Sequence, residues 1–110
     1  MSDFIITQGT DSGIVWPIYN KKTKLPANIV GWTGVAQIRS LNTDNLIFEF
    51  STVKNNMILE AGKITLVWTA TQTLNWKWNQ AKFGVELTTP EGKIARVDQG
   101  IVTLSKEVAK

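Results

Sequence analysis

Apolar and polar residues alternate along most of this chain, and turn-forming residues interrupt the alternation every ten or so positions. That pattern predicts antiparallel strands. FIIT (4–7) reads as a short first strand, ended by the turn-rich QGTDSG, which looks like a flexible tether. GIVWPIY (13–19) reads as the second; Pro17 has no N–H for a ladder, so it belongs on a sheet edge or at a bulge. In TGVAQIRS (33–40), Ala36 and Ile38 point inward, with Val35, Gln37 and Arg39 on the other face. After the tight NTDN connection, Leu46, Phe48 and Phe50 form one apolar face while Glu49 and Ser51 face away. MILEAGKITLVW holds two short strands around Ala61-Gly62, the second presenting Ile64, Leu66 and Trp68 together. KFGVELT (82–88) directs Phe83, Val85 and Leu87 inward, and TPEG turns it into a final strand as a hairpin. That strand, KIARVDQGIVTLS, changes phase midway, and Gly100 is the residue that predicts a bulge there.

TATQTLNW (69–76) does not alternate. It opens with threonines suited to a helix N-cap and continues with residues that tolerate a helical turn, so it predicts a short crossover between strands. The expected fold is a single domain over 1–110: an immunoglobulin-like antiparallel β-sandwich of roughly seven or eight strands with one short helical crossover. Trp76 and Trp78 follow the crossover with Lys77 between them. A straight backward extension of the 82–88 strand would turn both indoles away from the core, so the chain must bend, and the rings need not be adjacent. Trp76 is expected to plug the sandwich end and Trp78 to lie across its rim, partly exposed. Trp16, Trp32 and Trp68 are expected in the core.

Composition narrows the chemistry. At 110 residues the chain is long enough for an ordinary hydrophobic core, and it contains neither cysteine nor histidine. Disulfides, thiolate metal sites, histidine-based triads and ordinary zinc sites are therefore excluded. Catalysis would have to work through carboxylates, lysine or Tyr19; a carboxylate pair is the most credible route, as in a hydrolase, yet the acidic residues fall mostly at outward or turn positions. No phosphate-cradling glycine loop is present, so neither an enzyme nor a cofactor is expected. The net charge is +3, but the lysines are scattered, which predicts a solvated surface and not a nucleic-acid face. No apolar run approaches the ~20 residues of a membrane span, and MSDFIITQGTD lacks the basic and apolar regions of a signal peptide.

Three stretches carry a resemblance. GWTGVAQIRS, GKITLVWTATQT and FGVELTTPEGKIARVDQGIVTLSKEV resemble corresponding segments of small β-sandwich domains in tailed-bacteriophage virion proteins. Such domains occur in minor tail, baseplate, fibre and capsid-attached proteins, and the likeness covers roughly residues 31–108. Phe83 stands where those domains carry Tyr, and of their Asp-Leu-Thr-Gly only Thr33-Gly34 is kept. With no fibre, coiled coil or host-binding domain following in this sequence, the resemblance implies a stand-alone virion component, assembled in the host cytoplasm. Capsid decoration, neck and tail accessory proteins fit that description.

The partners implied are capsid or tail proteins or a second copy of the chain, with no nucleic acid and no membrane. The expected contact residues are Phe4, Ile5, Ile6 and Thr7 of the first strand, taken as a sheet edge open to another strand, and Trp78. Removing residues 1–8 is expected to impair attachment more than folding. The alternative is a carbohydrate-binding module using exposed tryptophan, which would require a flat line of accessible indoles.

Overall fold

The computed structural model describes residues 3–20 and 22–106. Met1, Ser2, Lys21 and residues 107–110, which include the end of the last of the three resembling stretches, lie outside the described residues. The strands are β1 (Phe4–Thr7), β2 (Ser12–Pro17), β3 (Thr33–Ser40), β4 (Leu46–Ser51), β5 (Met57–Glu60), β6 (Lys63–Trp68), β7 (Gln80–Thr88) and β8 (Ile94–Ser105). One helical turn, α1 (Ala70–Thr73), stands between β6 and β7. A five-stranded sheet in the order β1-β8-β7-β3-β4 packs on a three-stranded sheet in the order β2-β6-β5. The fold is thus the all-β sandwich with a helical crossover that the alternation predicts. Nothing in the strand order conflicts with an immunoglobulin-like arrangement. β1 runs parallel to β8, and every other neighbouring pair is antiparallel.

Alternate residues supply the core, as a two-residue period requires. Ala36 and Ile38 of β3, Ile64, Leu66 and Trp68 of β6, Phe83, Val85 and Leu87 of β7, and Val102 and Leu104 of β8 are all buried between the sheets. Through them runs a continuous series of ring contacts. Trp16 stacks on Phe83 at 5.6 Å, Phe83 meets Phe4 at 4.8 Å, and Phe4 meets Trp68 at 6.3 Å. Trp68 leads to Phe50, Phe50 to Phe48, Phe48 to Trp76, and Trp76 to Trp78. Edge-to-face contacts dominate, which is the arrangement ring quadrupoles favour. Trp32 is only half-buried against this core, not enclosed by it.

Local register departs from the predicted pattern in two places. The phase change in β8 arises at Val97, because Val85 pairs with Asp98 and Glu86 with Arg96, leaving Val97 as the extra residue. Gly100 instead pairs normally opposite Phe83 and is not among the glycines with positive φ. In β4 a second irregularity pairs Arg39 with Leu46 directly after Ile38 with Phe48, so Ile47 is extra. Leu46 is therefore moved beside Arg39 and is half exposed, while Phe48 and Phe50 keep the inward face. Ser51, expected outward, is buried at the strand's end, where its N–H donates to the side chain of Asn56. β2 stops at Pro17, and β7 begins at Gln80, two residues before the predicted start.

Candidate functional site

One end of the sandwich is built from α1 and the β1–β2 connection. Thr69 caps α1, accepting from the Gln72 N–H, while the Gln72 side chain accepts from the Thr69 N–H. The Ala70 N–H, also at the start of the helix, donates to Asp11 Oδ1 at 2.6 Å. Thr73 is fully buried, and its hydroxyl accepts from the Gly9 N–H at 2.8 Å. Gln8 Nε2 lies within hydrogen-bond reach of the carbonyls of Thr73, Leu74 and Trp76, at and just past the end of α1; the Thr73 carbonyl also accepts from the Trp76 N–H. The segment that looked like a flexible tether is therefore bonded across the sandwich end.

That anchoring fixes β1. Phe4 and Ile6 point into the core at 5% and 0% exposure, whereas Ile5 is 63% exposed. Gln8 donates its N–H to Ser105, so by strand alternation Phe4 and Ile6 bond to β8 and the peptide groups of Ile5 and Thr7 face the open side. Of the expected contact residues, Ile5 and Thr7 are available on this edge and Phe4 and Ile6 hold the fold. Removing residues 1–8 would strip Phe4 and Ile6 from the core, so truncation cannot separate attachment from folding.

The four sheet edges are not equivalent. β2 is an edge strand, as expected, and Pro17 removes a donor from it. β4 is closed by Asn56, whose side-chain amide donates to the Glu49 carbonyl and accepts from the Ser51 N–H, as a neighbouring strand's peptide would. The irregularity at Ile47 interrupts the same edge. β1 and β5 remain, each four residues long.

Trp76 and Trp78 are adjacent after all. The chain bends between them, and their ring centroids lie 5.3 Å apart at an interplanar angle of 37°. Each is half-buried, Trp76 sets its edge against Phe48, and the Trp78 Nε1–H is enclosed without a partner. The pair continues the core to the rim and does not present two coplanar faces. Among the described residues no group of acidic side chains could hold a metal ion, and no helix is long and apolar enough to cross a membrane. No protein-family model matches this chain, and no curated protein matches it in sequence.

Proposed function

We propose that this chain is a non-enzymatic structural component of a tailed-phage particle, a capsid decoration, neck or tail accessory protein that works through protein–protein contact. The open β1 edge carries the reading, together with the phage-like segments at 31–108. An edge strand with uncommitted peptide groups and an exposed apolar side chain can accept a strand from a neighbour, while its inward residues keep it seated in its own sheet. Ile5, with Ile101 and Thr103 beside it on the outer face, supplies side-chain surface for that contact. The tilt and burial of Trp76 and Trp78 favour this reading over the carbohydrate-binding alternative, because a sugar ring stacks on an accessible, flat indole face. Mass spectrometry of purified particles tests the proposal. The chain should be found in intact particles, with hundreds of copies indicating the capsid and a handful indicating the tail. Its absence from particles made by a host expressing it would refute the reading.

A further inference from the structure

The outer face of the five-stranded sheet carries a depression of about 250 Å³ centred on Gly84. Gly84 lies in β7 between Gln37 of β3 and Gln99 of β8, so a row across three strands lacks its middle side chain. Two strand spacings separate the glutamine Cα atoms, about 10 Å, which leaves a slot with a peptide floor. A Cβ placed on Gly84 meets nothing within 4 Å, so packing does not require the glycine. Glycine in a central strand marks either a bulge, such as the one at Val97 just past the Gly84–Gln99 pair, or a place where another group can approach the backbone; Gly84 itself pairs in regular register.

The slot is lined by Arg39, Lys82 and Arg96 against the single carboxylate of Glu86. Arg96 is paired with Glu86 at 3.1 Å and Lys82 with Asp44 at 2.8 Å. Arg39 differs: its Nε and Nη2 donate to Gln37 Oε1 and its Nη1 to the Asp44 carbonyl. Gln37 is itself held by donating to Glu49, whose other oxygen meets Lys54. Among the described residues no carboxylate stands within ion-pair distance of Arg39, although its charge acts on Asp44 and Glu49 from further off. A guanidinium has five N–H donors, and these bonds occupy three, so an immobilised cation retains two donors at the edge of the slot.

We propose that this slot receives an acidic side chain of a partner polypeptide, its stem over Gly84 and its carboxylate on Arg39. The volume fits one side chain and falls short of the ~300 Å³ at which small-molecule pockets begin. The inference concerns the sheet face and does not depend on the β1 edge or on the phage reading.

The test is an amide NMR titration of the full chain with N-acetyl-glutamate amide, against N-acetyl-glutamine amide at the same ionic strength. The acidic probe should shift residues 37–39, 82–86 and 96–99 saturably, and the neutral probe should not. Gly84→Val fills the slot and leaves Arg39 in place, and it should weaken binding by about tenfold or more, as loss of a charge-assisted contact does. Should that variant fold poorly, Gly84→Ala replaces it. Arg39→Lys, which keeps charge but loses the fork, should also weaken binding. Equal shifts with both probes, shifts spread over the lysines generally, or undiminished binding by the folded glycine variant would each overturn the proposal.

Discussion

Two glycines show how one residue type answers to opposite constraints. Gly62, in the β5–β6 turn, has φ +81°, and a Cβ there would stand 2.6 Å from Pro26 Cβ. Both conformation and space demand glycine, so Gly62→Ala should destabilise by about 1 kcal/mol or more. Gly84 has neither constraint. Alanine there reduces the freedom of the unfolded chain, so Gly84→Ala should be neutral or stabilise by up to about 1 kcal/mol. Chemical denaturation of the two variants measures both signs in one experiment. Stabilisation at Gly84 would show that folding does not require the glycine there. A loss there comparable to Gly62 would mean that the slot is structural.

At the scale of elements, bonds that cross between segments decide what alternation leaves open. Central strands were legible: β3 and β7 are flanked on both sides, so a two-residue period maps directly onto inward and outward faces. The irregularities at Ile47 and Val97 were not, because an extra residue is defined only against the partner strand. The closure of β4 by Asn56 is local, five and seven residues from its partners, but no alternation pattern shows that an asparagine in the connection folds back on the strand edge. The candidate site was legible in part. FIIT and the Pro17 strand read correctly as edges, and the parity of Phe4 and Ile6 could have placed them in the core. Gly84, alone in an alternating strand, is the sequence signal for the slot. Gln8 tests the same cross-segment logic. Gln8→Ala takes the side-chain donor from the Leu74 and Trp76 carbonyls past α1 and should cost about 1–3 kcal/mol in thermal or denaturant unfolding. The β3–β4 hairpin responds to pH instead. The hydrogen bond and charge of Lys82 hold Asp44 below its ordinary 3.8, and bonds from Gln37 and Lys54 hold Glu49 below 4.5. A carboxylate with a depressed folded pKa stabilises above its unfolded value and loses that contribution as pH falls through the folded one. The melting temperature should therefore decline as pH drops below about 4.5, and Asp44→Asn with Glu49→Gln should flatten the decline.

For the whole molecule, the question is how a sandwich can engage a neighbour without loosening itself. The ring contacts from Trp16 to Trp78 tie β1 to both sheets, since Phe4 touches Trp16, Phe83 and Trp68. Donation of β1 to a different protein would break those contacts and leave the place of Ile6 empty, a loss of several kcal/mol on the scale of core truncations, about 2–5 for an isoleucine alone, whereas reciprocal exchange between two copies of the chain would restore them. Addition of a neighbour's strand to the seated β1 breaks none of them. Strand addition is therefore favoured over donation of β1 to a different protein, and it makes separable demands on alternate residues. Ile5→Lys places a charge on the open edge, a known block to strand pairing, at a position already 63% exposed. It should leave the unfolding midpoint nearly unchanged and sharply reduce binding to particles that lack the protein. Ile58→Lys makes the matching change on β5, the other open edge, where the side chain is 46% exposed. If β1 carries the contact, the β5 variant should bind as the unmodified chain does. Loss of binding with Ile58→Lys and not with Ile5→Lys would move the interface to the three-stranded sheet. Normal binding by both would leave the sheet edges out of the contact altogether.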